Sequence, residues 1–149
     1  MIILRKKNEQ KNIYKKIDDN ELLVEKSLTG FILSLSQWNS IKKKVEKEIK
    51  IALELSSNEC LSFNDHEMSN LSMIQINFET FKDGRPFSFA KNLRKKYGYE
   101  GELRAAGNIL PDQYIFLLRC GFDTVEIPKR DKEVWVKLLE MDSGLYYQP

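Results

Sequence analysis

The sequence is poor in the residues that hold metals and form cross-links. Among 149 residues it has two cysteines, Cys60 and Cys120, and one histidine, His66. That set cannot build a zinc site of four cysteines, or of two cysteines and two histidines. It also falls short of the four thiolates of a typical iron–sulfur cluster. The cysteines are far apart and form no CxxC pair, so a structural disulfide is not expected in a reducing compartment. No GxGxxG turn for a dinucleotide is present, and no cofactor or metal site is expected. No apolar run approaches the ~20 residues that cross a bilayer. Met1 to Lys7 lacks the apolar stretch of ~7–15 residues of a secretory signal. A cytoplasmic protein without membrane contacts is the expectation. An excess of one charge is missing too, with 24 basic residues against 22 acidic. The runs Arg5-Lys6-Lys7, Lys42-Lys43-Lys44 and Lys95-Lys96 are offset by nearby acids and read as solvated faces, so no nucleic-acid partner is expected.

The length fits one domain over residues 1–149, large enough to bury a core without cross-links. Residues 1–30 are expected to hold an N-terminal hairpin, formed by Met1–Arg5 and Asn12–Ile17 around a polar turn, and a linker. Residues 31–149 read as βα units. Phe31–Leu35 predicts a strand and Ser36 the cap of a helix carrying Trp38, Ile41, Val45 and Ile49 at helical spacing. Ile51, Leu53 and Leu55 alternate as in a strand. Asn64 and Glu67 have capping-box spacing and predict a short helix to Leu71. Further strands are expected at Met73–Phe78, Glu102–Ala106 and Thr124–Ile127. Helices are expected at Pro86–Tyr97, from Pro111 to Cys120 with Gly121 beyond its end, and at Asp131–Met141. Leu145–Gln148 reads as a last extended piece. Phe116, Leu117, Leu118, Trp135, Leu138 and Leu139 are assigned to the core, as is a stripe of Phe89, Leu93 and Tyr97.

Alternating strands and helices predict an α/β fold of βα repeats with a mostly parallel sheet. Strands buried on both faces read as continuous apolar runs. Here Glu54, Gln75, Asn77, Glu102, Arg104 and Glu126 share one face, opposite Leu, Ile, Val and Ala. The expectation is a sheet covered by helices on one side only, curled as a partial β/α-barrel with one polar face.

Phe81 to Asp123 carries a set of pieces in fixed order. These are Phe81-x-Asp83-Gly84-Arg85, Ser88-x-Ala90, Leu93-Arg94, Gly98-Tyr99-x-Gly101-Glu102-Leu103-Arg104-Ala105, Gly107, Leu110-x-Asp112-Gln113 and Arg119-Cys120-Gly121-Phe122-Asp123. With them the chain resembles the bacterial family labelled domain of unknown function 934, described as an oxidoreductase involved in sulfite reduction. Weaker likeness extends to Leu35-x-x-Trp38 and Tyr147-Gln148. Asn108 stands where that family usually has Asp, Pro111 where it has Arg, and Glu79 where it often has Pro. The resemblance implies a place beside sulfite reductase in sulfur assimilation. An accessory or assembly partner of the reductase or its electron donor is the expected role, and a homodimer completing the barrel is a further expectation. Whether the chain is an enzyme stays open.

The alternative is a small oxyanion-binding protein or enzyme. In a parallel sheet ligands bind beyond the carboxyl ends of the strands, where Asp83-Gly84-Arg85 and Gly107-Asn108 precede helices whose free N–H groups suit anions. Arg85 would bind the anion, with Ser88, Asn108 and Gln113 as hydrogen-bond partners, and Arg104 would join if its strand face is the inner one. Asp83 or Asp112 would be the general acid or base. The same residues read equally well as loop braces and surface ion pairs. Cys120, at a helix C-terminus where the dipole opposes a thiolate, is read as a packing residue. Cys60 has nothing to activate it, and His66 is read as a surface residue.

Overall fold

Strands that follow one another in chain order dictate the architecture. The computed structural model describes residues 1–17, 30–43, 49–61, 63 and 66–143. In it one sheet contains β1 (Ile2–Arg5), β2 (Asn8–Gln10), β3 (Tyr14–Lys16), β4 (Gly30–Leu33), β5 (Ile51–Ser56), β6 (Met73–Phe78), β7 (Glu102–Gly107) and β8 (Thr124–Ile127). Their spatial order is β2-β1-β8-β7-β6-β5-β4-β3. From β3 to β8 all neighbours are parallel, and β1 is antiparallel to both β2 and β8. Helices α1 (Leu35–Ile41), α2 (Arg85–Lys95), α3 (Tyr114–Cys120) and α4 (Lys132–Ser143) follow β4, β6, β7 and β8. Right-handed crossovers that always step in one direction carry their helices to the same face. The fold is the expected α/β class, with a mostly parallel sheet curled as a half-barrel.

The period-2 alternation of the strands separates the two faces. Leu33, Leu53, Leu55, Ile74, Ile76, Phe78, Leu103, Val125 and Ile127 form one core with Trp38 of α1, Phe89 and Leu93 of α2, Leu117 of α3 and Trp135 of α4. Each such Leu or Ile contributes ~1.5–3 kcal/mol by leaving water. On the inner face Ile32, Ala52 and Met73 form a small apolar group against which Tyr14 packs, and Ile3 and Ala106 are buried there beside Glu126 and Asn77. Most of the remaining positions on that face are polar, as the alternation predicts.

The curl has a geometric cause. β2 and β3 are the opposite edges of the sheet. A flat sheet of this order would hold them roughly 34 Å apart at ~4.8 Å per strand gap. Yet only Lys11, Asn12 and Ile13 connect Gln10 to Tyr14, a reach of about 14 Å. The two edges are therefore drawn together, and the N-terminal segment lies across the inner face.

That segment satisfies the polar groups it covers. Arg104 is 1% exposed. Its guanidinium donates to Glu102 Oε2 (2.9 Å), Thr124 Oγ1 (3.3 Å) and Asn12 Oδ1 (3.2 Å) and lies 5.8 Å from the Tyr14 ring centre. Glu102 also accepts from Arg5 (3.3 Å), Gln10 (3.1 Å) and Thr124 (2.9 Å). Burial pushes the Glu102 carboxyl up, but the Arg104 charge and these hydrogen bonds outweigh burial and hold it below the usual range. Nearer the strand ends, Asn77 donates to Glu54 (2.7 Å) and Gln75 to Asn77 (3.0 Å).

Several expectations are corrected. The hairpin pairs β1 with β2 through a Lys6-Lys7 turn, not with residues 12–17, and Tyr14–Lys16 joins the far edge beside β4. Lys6 has φ 53°, uncommon without glycine, and the Tyr114 hydroxyl donates to its carbonyl at 2.6 Å. The cap of α1 is Ser34, not Ser36, because Gln37 three residues on closes a capping box with it. Val45, expected in that helix, lies outside the described residues, as do Asn64 and the segment Leu145–Gln148. Between β5 and β6 the described residues form short 3₁₀ turns at Glu59–Leu61 and Met68–Asn70. α2 stops at Lys95 before Gly98 (φ 65°), which leaves Tyr97 42% exposed. Phe116, assigned to the core, is 45% exposed on the flank of α3.

Breaking the inner ion pair should be costly, because it strands a covered carboxylate. Arg104→Met is expected to lower stability by about 3 kcal/mol. The double variant Arg104→Met/Glu102→Gln should lose less than the sum of the single changes. Urea unfolding of the four proteins measures the coupling, and strict additivity would show that the pair does not act as a unit.

Candidate functional site

The carboxyl ends of β5, β6 and β7 bring three loops together. Gly107 ends β7 with φ 85°, and a Cβ there would stand 2.6 Å from the Phe78 carbonyl, so only glycine lets the loop after β7 cross the end of β6. Asn108 then uses its backbone N–H on the Phe78 carbonyl (3.0 Å) and its side-chain amide on the Glu79 carbonyl (2.6 Å). Gln113 donates to the Phe81 carbonyl (2.9 Å) and accepts from the Leu110 N–H (2.9 Å). Both residues named as anion ligands thus hold the 79–84 loop against the 108–113 loop.

Asp83 and Arg85 meet at the start of α2. Arg85 Nε donates to both Asp83 oxygens (2.9 and 3.1 Å) and one terminal nitrogen donates to Oδ2 (2.6 Å), a bidentate fork. The Arg85 backbone N–H is also taken by Asp83 (3.0 Å). The remaining terminal nitrogen donates to Asn58 Oδ1 in the loop after β5 (2.7 Å). Hydrogen bonds from the Arg85 guanidinium hold the Asp83 carboxyl down at about 2. Ser57, fully buried, donates to the Asn77 carbonyl (3.4 Å) and completes the join between these loops.

The remaining candidates stand apart. Ser88 is exposed on α2 and does not cap it; the cap position is Gly84. Asp112 is exposed in the 3₁₀ turn that precedes α3. Arg104 does face inward, but it lies within the β7 strand, tied to Glu102, and not at the strand ends. Burial pushes the Cys60 thiol up to about 12 and raises the Cys120 thiol as well, which suits packing residues better than nucleophiles. Among the described residues no group of three or more His, Cys, Asp or Glu is arranged to hold a metal.

Two residues of consequence are missing from the sequence-based set. Asn58 belongs to no motif, and nothing local marks it as the partner of Arg85. Arg94 does sit in the quoted motif, and all five of its N–H donors are used. It binds the carbonyls of Gly121 (3.0 and 2.8 Å), Tyr99 (2.8 Å) and Gly101 (2.8 Å), and the carboxylate of Asp123 (2.6 Å). Asp123 in turn accepts the Leu103 N–H (3.0 Å), and the Tyr99 hydroxyl reaches the Leu71 carbonyl (2.8 Å). A glycine–tyrosine–glycine turn between α2 and β7 and an Arg–Cys–Gly–Phe–Asp run before β8 are the sequence signature of this clasp.

The Asp83–Arg85 fork has a pH signature. A carboxyl lower in the folded than in the unfolded state stabilises fully above about pH 4, and its contribution is lost as pH falls through about 2. Wild-type urea midpoints should drop over that window. Asp83→Asn should lower the midpoint at pH 7 and lose less on acidification. Parallel pH curves for the two proteins would contradict the assignment.

No curated protein and no solved structure matches this sequence. No described helix is long and apolar enough to cross a membrane. The model of a family recorded as "Bacterial protein of unknown function (DUF934)" matches residues 52–149, more than half of the chain. That span holds β5 from Ala52 onward, β6 to β8, the three joined loops and the Arg94 clasp, and the chain belongs to this family.

Proposed function

We propose that this protein is a non-catalytic accessory or assembly partner of sulfite reduction, which docks to sulfite reductase or its electron donor in the bacterial cytoplasm. One observation carries the docking reading. The polar residues at the strand ends are spent on each other and on loop carbonyls, while apolar side chains from the same loops are left on the surface. Such an arrangement stiffens a surface before it meets a partner and lowers the ordering cost of binding. The pathway half of the proposal is supported by the resemblance carried by Phe81 to Asp123.

A strain lacking the protein, grown on sulfate, sulfite, sulfide or cysteine as sole sulfur source, tests this reading. Growth on sulfide and cysteine but not on sulfite is expected, with rescue by an Arg85→Ala variant that still folds. Normal growth on all four sources would remove the pathway assignment.

A second reading, a small oxyanion-binding protein or enzyme, is favoured by the placement of Arg85. Its side chain is 38% exposed at the N-terminus of α2, with three of its five N–H donors engaged by Asp83 and Asn58 among the described residues. Isothermal titration of sulfite or sulfate into wild type and Arg85→Ala separates the readings. This second reading requires heat of binding that Arg85→Ala abolishes, and indistinguishable traces for the two proteins would end it.

A further inference from the structure

Phe81, Leu110 and Phe116 are 45%, 37% and 45% exposed. Hydrogen bonds described above bring them to one place. The Gln113 amide ties the Phe81 carbonyl to the Leu110 N–H, and Phe116 lies one helical turn beyond Gln113 on α3. Phe116 is fixed from beneath by Phe87, with ring centres 4.8 Å apart, and Phe87 rests on the core ring of Phe78 at 5.3 Å. The exposed Phe116 ring is thus the outer end of an aromatic stack rooted in the core.

Each exposed ring carries an ammonium. Lys82 Nζ lies 5.8 Å from the Phe81 ring centre and Lys91 Nζ 5.6 Å from that of Phe116. Neither lysine has a carboxylate partner among the described residues. The nearby carboxylate of Asp83 is consumed by Arg85. Large apolar side chains flanked by two lysines with no carboxylate partner among the described residues, beside loops already braced, are the makings of an interaction centre with a polar rim.

We propose that this surface, centred on Phe81, Leu110 and Phe116 and rimmed by Lys82 and Lys91, binds an acidic protein segment that places an aliphatic or aromatic side chain between carboxylates. The inference rests on the docking reading above but not on its choice of sulfite reductase. Single-stranded nucleic acid fits less well. Leu110 offers no stacking face, and Phe116 already has Phe87 against it.

Selection from a random peptide library displayed on phage, with the full chain as bait, tests the surface without presupposing the partner. Enriched peptides should carry Asp or Glu beside Leu, Ile, Phe or Trp. Their affinity should fall at least about tenfold for F81A/F116A and for K82E/K91E, and should weaken with salt. Urea unfolding matched to wild type shows that the variants are folded. An empty selection, peptides without acidic excess, undiminished binding to both variants, or displacement by single-stranded DNA would each overturn the proposal. Purified sulfite reductase is the second arm. Reductase that binds wild type and F81A/F116A equally would overturn this surface and keep the pathway reading. Reductase that ignores wild type, while the peptides behave as expected, would overturn the pathway reading and keep the surface.

Discussion

The three residues between β2 and β3 set the constraint on which the rest depends. A short link between opposite edges of an eight-stranded sheet forces the sheet to curl and lays the N-terminal segment across its inner face. Once covered, the inner face cannot rely on water, so its charges need partners. Arg104 and Glu102 supply one another, and Asn12, Gln10, Arg5 and Thr124 complete their hydrogen bonding. The polarity of the strands and the path of the first residues are therefore one feature.

The outer side is organised by a different guanidinium. Arg94 gathers the turn before β7 and the turn before β8 onto α2, and with Tyr99 and Asp123 it accounts for much of the motif between Leu93 and Asp123. A motif rich in arginine, aspartate and glycine invites a catalytic interpretation. In this protein most of those groups face backbone carbonyls and one another. They leave Phe81, Leu110 and Phe116 exposed beside them, and this is why the functional reading turns from a polar site to a surface.

Much of the fold was legible because it is written in local periodicity. Met73–Phe78 and Thr124–Ile127 are strands at the bounds their alternation predicts, and the polar phase of that alternation marked the inner face correctly. Features that depend on distant partners were not legible. Tyr14–Lys16 resembles the second arm of a hairpin, and only its pairing with Gly30–Ile32 reveals it as the opposite edge. Phe116 has core chemistry, but Tyr114, Leu117 and Cys120 take the buried stripe of α3 and turn it outward. The Ser34 cap was within reach, since Gln37 completes a capping box with Ser34 and not with Ser36. For the candidate site, residue identity gave the right neighbourhood for Asp83, Arg85, Asn108 and Gln113. It could not show that their hydrogen-bonding capacity is largely spent within the loops, nor that Asn58 is one of the recipients.

The pairing of β1 with β8 has a consequence for synthesis. Ile2 lies opposite Ile127, so the strand that closes one side of the sheet is translated long before its partner exists. While the ribosome works through the intervening βα units, Ile3 and Leu4, both buried in the finished protein, have no β8 to pack beside. Until β8 emerges β1 has its β2 neighbour but not its second one, and contacts of such long range are the slowest to form. The cooperative step that completes this sheet therefore waits until β8 has been made, and a chain truncated before residue 124 lacks the strand that β1 needs.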